Sequence, residues 1–558
     1  MKRFGIYFVI IAALTISGCG SGGQQNVQSD MTAILVVRGG SIVTGTGQAI
    51  RNGAVVISGD RVAWTGPSDG LPPQFRSSQV LDATGLTIFP GLVDAHAHIA
   101  GLGDSLENVD LVGTRSYEEV IQRIAEQAGT RPAGEWVLAR GWDQNDWSET
   151  SFPTAAELDR AVPNHPVYAT RIDGHAVLVN HRTMAAAGVS PSTPDPEGGR
   201  IVRDADGQPT GVFVDNAINL VQRFIPPITR DQRKRRIENA VRYIASTGLT
   251  GVHDAGASQE TIDIYRELID EGRMPIRVYA MLDDDMVLLA SWMARGPLVD
   301  YGDRLTVRMI KLYADGALGS RGAALLEPYS DDPANSGLLV SSKEHLLARV
   351  NQARKAGFQV GVHAIGDRGN RVILDVYEEA GVVPEERYRI EHFQVAALDD
   401  IPRLARRGII ASMQPTHATS DMPWAEDRVG AERIRGAYAW RTILDAGAHL
   451  AFGSDFPVEE VNPMLGLYSA VTRQDRAGHP PGGWRAHEAL TPLEAIQAFT
   501  SGAAYAAFQE KDLGTIEPGR LADLTILDAN PLEVEPSRLD DIAVRYTIVG
   551  GSIVHEAN

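Results

Sequence analysis

Two histidines two residues apart offer the first chemistry in this chain: His96 and His98, in the run PGLVDAHAH from Pro90 to His98. On a strand, residues two apart project from the same face, so both imidazoles would look into one site at the strand's C-terminal end. Neutral imidazole is a common ligand for zinc and similar ions. A single His-x-His pair is weak evidence, but four further candidates each close an apolar, strand-like run. They are Lys311 in MIKLYADGALGS, His363 in VGVHAIGD, His392 in RIEHF and Asp455 in AFGSDFP.

The elements that must position these residues are short apolar runs separated by helical stretches: GLVDAHAH, TGVHDAG, IRVYAML, VRMIKLYADG, FQVGVHAIGD, RIEHFQ, IIASMQPTH and LAFGSDFP. Eight such strands with helices between them predict an α/β fold, a (β/α)8 TIM-like barrel over residues 90–507. The stretch from about 103 to 245 is too long for one βα unit. It is expected to be a large insertion after the first strand, placed where barrel loops can cover an active site. Residues 32–89 and 508–558 carry β-branched runs between glycines, such as AILVVRGGSIV and RYTIVGGSIVHEAN. Neither piece could bury a core well by itself, so the two are expected to pair into one small β-sandwich.

One barrel presenting His-x-His, Lys, His, His and Asp from its strand ends closely resembles the amidohydrolase superfamily. The segments RIDGH, DPEGGRIV, KLYADGALGSRGAALLEPYSD and HAIGDRGNR are similar to the branch that contains N-substituted formamide deformylase. The resemblance implies two divalent metal ions, with zinc the expected one. His96, His98 and Asp455 would bind one ion, and His363 and His392 the other. Lys311 would be carboxylated by CO2 so that its carbamate bridges both, which requires the neutral amine that burial favours. Paired cations lower the pKa of a shared water and polarise a carbonyl. Asp455 would be catalytic, accepting a proton from the attacking hydroxide and delivering it to the leaving nitrogen. The expected activity is hydrolysis of a non-peptide carbon–nitrogen bond in a small-molecule amide or formamide. A binding protein on an idle barrel, or a metal-assisted isomerase or lyase, are the alternatives.

Several side chains have competing roles. Lys311 could pair with Asp315, four residues along the same strand face, leaving a site for one ion. His253 could touch the site or satisfy backbone groups, and His417 could hydrogen-bond a substrate carbonyl. Arg171, Asp173 and His175 in RIDGH resemble pocket-lining residues of that branch, although a buried network would use the same types. Trp142 and Asp143 could form a pocket wall or a packing cluster. Arg321 could meet a substrate carboxylate.

The formal charge of −19, with no basic run interleaved by aromatics, argues against a nucleic-acid partner. The single cysteine excludes an internal disulfide. Its position is informative. Lys2 and Arg3, a 13-residue apolar run from Phe4 to Ile16, and then Ile16-Ser17-Gly18-Cys19 resemble a bacterial lipoprotein signal over residues 1–18. Removing it leaves 50 basic against 71 acidic residues, or −21. Cys19 would be the lipidation site and residues 19–31 a flexible tether. The chain is thus expected to be an exported lipoprotein at the outer membrane or periplasmic face, touching membrane through its anchor only. A homo-oligomer is left open.

Overall fold

A computed structural model describes residues 35–47, 49–76 and 78–557. The lipoprotein signal, Cys19 and the tether lie outside the described residues. Among those described, no helix is long and apolar enough to cross a membrane.

The central sheet has eight parallel strands, β1 (Leu92–Ala97), β2 (Leu249–Ala257), β3 (Arg277–Leu282), β4 (Leu305–Tyr313), β5 (Gln359–Ala364), β6 (Arg389–His392), β7 (Ile410–Met413) and β8 (His449–Phe452), and a ninth, Leu298–Tyr301, antiparallel to β4. Each of the eight pairs with the next in order. Strands covered on both faces tolerate apolar residues at every position. That is why IRVYAML and QVGVHA are buried throughout rather than alternating.

The ring is drawn together between β8 and β1 by side-chain and loop hydrogen bonds. The Asp94 carboxylate accepts from Ser454 N at 3.0 Å and Ser454 Oγ at 2.7 Å, while Asp455 N donates to His96 O at 2.8 Å and His98 N to Phe456 O at 2.8 Å. This seam sets Asp455 beside His96 and His98. Gly453 lies so close to β1 that a Cβ there would sit 2.4 Å from Asp94 Oδ1 and 2.6 Å from His96 N.

Between β1 and β2 the chain builds a six-stranded sheet from Val109 to Asp215 with its own apolar core, including Leu111, Val137, Trp142, Leu158 and Val214. The helix Arg230–Ser246 follows. Sequence patterning assigned it to the insertion, whose end was expected near 245. In the structure its stripe of Ile237, Val241 and Ile244 packs into the barrel core, so the helix belongs to the barrel's outer layer. Its polar surface run RDQRKRR hid that stripe.

At the chain ends, Thr87–Pro90 pairs antiparallel with Leu524–Leu527, in register from Leu524 opposite Pro90 to Leu527 opposite Thr87. A second sheet of four strands shares a core with this one, combining Leu35, Val37 and Val55 with Leu524, Ile526 and Ile548. Its neighbour, the bidentate ion pair of Arg277 with Asp523 at 2.7 Å and 2.8 Å, ties the start of β3 to the C-terminal sheet.

Because nothing at the seam can yield cheaply to a Cβ, Gly453→Ala is expected to destabilise the protein by about 1–3 kcal/mol. Thermal unfolding followed by circular dichroism should show a melting temperature several degrees lower, and an unchanged value would contradict this account of closure.

Candidate metal centre

The six side chains singled out by spacing meet at the C-terminal ends of the strands. Ring centroids of His96 and His392 are 4.8 Å apart, those of His363 and His392 4.6 Å, and those of His96 and His98 5.6 Å. Lys311 Nζ is 2.9 Å from His96 Nε2. Asp455 Oδ1 is 3.1 Å from His98 Nε2 and 3.6 Å from His96 Nε2. Five of the six wall a cavity of about 1110 Å3, and His96 lies beneath it, fully buried.

Partners on the far side of each ring fix which nitrogen faces inward. His96 Nδ1 contacts Glu391 Oε2 at 2.5 Å, His98 Nδ1 contacts Ala255 O at 2.9 Å, and His392 Nδ1 contacts Gln414 Oε1 at 2.8 Å. All three are oxygen acceptors, so each ring carries its proton on Nδ1 and turns the Nε2 lone pair to the site. His363 is reversed, with Nε2 at 3.3 Å from Gly316 O.

The consequence is a confrontation of acceptors. Two imidazole lone pairs face Asp455 Oδ1, a buried carboxylate oxygen with no hydrogen-bond donor. Such a group is costly unless a cation neutralises it. The ligand atoms of His96, His98 and Asp455 lie within 4.8 Å of one another, and so do those of His392, His417 and Asp455. The donor set therefore suits divalent ions, with Asp455 common to both groups. Burial favours the neutral rings such ions need: His363 and His392 fall well below the usual histidine range, and burial with the Lys311 charge brings His96 to about 4. Burial also lowers Lys311 to about 8, bringing the neutral amine within reach near physiological pH.

Asp315 is not the partner of Lys311. Its carboxylate accepts backbone N–H bonds from Ala324 at 2.8 Å, Ile365 at 2.9 Å and Gly366 at 2.8 Å, and it serves to hold the loop after β4 against β5. His253 likewise stands below the cavity, its Nδ1 3.0 Å from Arg389 Nη1.

That arginine and Glu391 are positioning residues behind His96 that the sequence did not single out. Both are fully buried. Arg389 Nε lies 2.8 Å from Glu391 Oε1, and Nη2 donates to Glu391 Oε2 at 2.9 Å and Ser412 Oγ at 2.8 Å. Burial would raise the Glu391 pKa, but the Arg389 charge and His96 outweigh it and hold the carboxyl far below its usual range. An anion is thus kept ready to orient His96. The signal lay in RIEHF, where Arg389 and Glu391 share one strand face. His392 would fall on the other face by alternation. Left-handed backbone at His392 (φ 73°) and Phe393 (φ 41°) accompanies its turn into the site, at a cost of about 1–3 kcal/mol per strained residue.

The insertion supplies the opposite wall. Arg171, Asp173 and His175 line the cavity and also form a network: Arg171 donates to Asp173 at 2.6 Å, to Gln144 at 2.9 Å and to Asp143. His175 Nδ1 meets the buried Asp215 at 2.7 Å, a partner no sequence signal revealed. His417 enters the centre more closely than expected, with Nε2 3.8 Å from Asp455 Oδ2 and its ring 5.9 Å from His392. One expectation needs correction, and one pair of alternatives is resolved. Arg321 is paired with Asp331 at 2.9 Å and is not among the cavity-lining residues, so its charge is already spent. Trp142 is fully buried in the insertion core and donates to Ala169 O at 2.8 Å, so it packs rather than walls the pocket, whereas Asp143 does line it.

The profile described as the amidohydrolase family matches residues 79–555. YtcJ of Bacillus subtilis (strain 168), an amidohydrolase by name, is 34% identical over 527 residues, covering 93% of this chain and 98% of that protein. N-substituted formamide deformylase of Arthrobacter pascens is 28% identical over 524 residues, 90% of this chain and 95% of its own. Among solved structures, an uncharacterized metal-dependent hydrolase from Pyrococcus horikoshii OT3 superposes with a TM-score of 0.73 at 30% identity, covering 90% of this chain and 99% of that one.

Truncating Glu391 leaves Arg389 buried without its counter-ion. Glu391→Ala is expected to cost about 3–5 kcal/mol of stability, read as a shift of the denaturation midpoint in urea. A wild-type midpoint would contradict the role given to this pair.

Proposed function

This chain belongs to the amidohydrolase family, and we propose that it is a metal-dependent hydrolase of a carbon–nitrogen bond other than a peptide bond, in a small amide or formamide. The observation that carries the proposal is the group of imidazole lone pairs turned onto a donorless oxygen of Asp455. His96, His98 and Asp455 would hold one ion. His363 and His392 would hold a second beside His417, with Lys311 as a carbamate between them; such donors suit zinc, manganese, iron or cobalt, of which zinc is the ion proposed. Bound ions would acidify a water molecule and polarise the scissile carbonyl.

The residues of the chain do the rest. Glu391 and Gln414 keep His96 and His392 in the tautomer that faces the site. Asp455 takes the proton of the attacking water and returns it to the leaving nitrogen. The Arg171 network keeps the insertion wall in place over the reacting centre. Half-exposed Leu106, Val112 and Tyr243 at the cavity wall suit an apolar substituent. The formamide deformylase relative supports an amide or formamide as the bond cut. Acylation at Cys19 would hold the enzyme at a membrane surface, a reading supported by the residues before it alone.

The test is a screen of metal-loaded protein against N-formyl, N-acetyl, carbamate and imide compounds in 18O-labelled water. Turnover that places label in the released acid is expected, and turnover without label, or ligand capture without product, would overturn the proposal. Chelation should abolish that activity and added zinc, manganese or cobalt should restore it, whereas full activity after stripping would count against any role for metal. Asp455→Asn should lower kcat by about 10²–10⁴-fold, measured on the best substrate of the screen, and a change of less than tenfold would remove Asp455 from proton transfer.

A further inference from the structure

One cation of the cavity wall is left unmatched by the network around it. Arg140 stands on the insertion strand Val137–Trp142 and lines the cavity. The strand register slips between Arg140 and Trp142, and Gly141 adopts φ 111° there. Only glycine fits, because a Cβ would lie 2.6 Å from Val112 Cγ2 and 2.7 Å from Val112 N. Bulges of this kind re-aim a side chain.

The guanidinium is anchored at one point, with Nη2 donating to Ile172 O at 2.8 Å. Its Nε is buried with no hydrogen-bond partner, and among the described residues Arg140 forms no ion pair. The neighbouring carboxylates are committed elsewhere. Asp173 accepts from Arg171 at 2.6 Å and from His175 N at 2.9 Å, and Asp143 accepts from Arg171 and from Asn145 N at 2.8 Å. Two arginines therefore face the same cavity, one paired with two carboxylates and one with none. Burial pushes Arg140 below the usual arginine value, with Asp173 and Asp455 offsetting part of that from a distance. A desolvated arginine with free donors is built for an oxyanion that arrives with the ligand.

We infer that Arg140 binds a carboxylate of the substrate, so that the amide cleaved carries an acidic group away from the scissile bond, as an N-acyl amino acid does. This rests on the hydrolase proposal for the identity of the bond, but the anion subsite is decided by binding alone.

The experiment compares both enantiomers of N-acetylleucine with N-(3-methylbutyl)acetamide, which lacks only the carboxylate, by calorimetry on the metal-loaded full chain, with hydrolysis recorded in parallel. The better N-acetylleucine enantiomer should bind about tenfold or more tightly than the neutral amide. Arg140→Met should erase that preference while leaving the affinity for the neutral amide within about twofold, and Arg140→Lys should keep part of it. Equal binding of the two compounds by the wild-type protein would overturn the inference without any variant having to fold. So would a preference that survives in a folded Arg140→Met protein, since the metal centre would then be the anion site. Absence of hydrolysis of either compound, with the preference intact and dependent on Arg140, would count against the bond assigned under the proposed function and leave the subsite standing.

Discussion

The arrangement on which the molecule depends is a set of acceptors pointed at one another. Lone pairs of His96 and His98 converge on a buried oxygen of Asp455 that receives no donor. Left alone, such a cluster would be strongly unfavourable, because desolvated acceptors repel and a buried carboxylate needs a counter-charge. Lys311, 2.9 Å from His96 Nε2, supplies a counter-charge only while it is protonated, and burial weakens its hold on the proton. A divalent ion satisfies the whole set at once. The rest of the fold reads as the scaffold that keeps the cluster from collapsing.

Three devices provide that rigidity. The seam between β8 and β1 uses Asp94 to carry the Ser454–Asp455 backbone against His96. The Arg389–Glu391 pair below fixes His96 from behind. Left-handed backbone at His392 and Asp455 turns two candidate ligands inward where extended strands would not. Local strain of this sort persists only where the surrounding structure over-determines it, here a continuous barrel core on which these strand ends are mounted. The insertion adds a polar wall whose charges are mostly matched internally, which leaves few groups free to read a ligand.

Much of the barrel was legible because its physics is local. Parallel strands buried on both faces appear as unbroken apolar runs, and a candidate ligand at a strand's end appears as a His, Lys or Asp closing such a run. What stayed hidden depends on contacts between distant segments. His96 and Glu391 are 295 positions apart, and His175 and Asp215 are 40 apart across two strands. No spacing rule connects either pair. Arg321 looked free because nothing in GSRGAAL announces Asp331. The helix Arg230–Ser246 was hidden differently, since a basic, solvated face outnumbers the narrow stripe that packs on the barrel.

On the function proposed above, Asp455 and its histidines exist to surround a cation. Anomalous diffraction from crystals of the zinc-loaded protein tests it most directly. A peak is expected, bounded by His96 Nε2, His98 Nε2 and Asp455, with nitrogen and oxygen ligands at about 2.0–2.2 Å. A fully loaded crystal with its zinc elsewhere, and these side chains in contact only with one another, would contradict it.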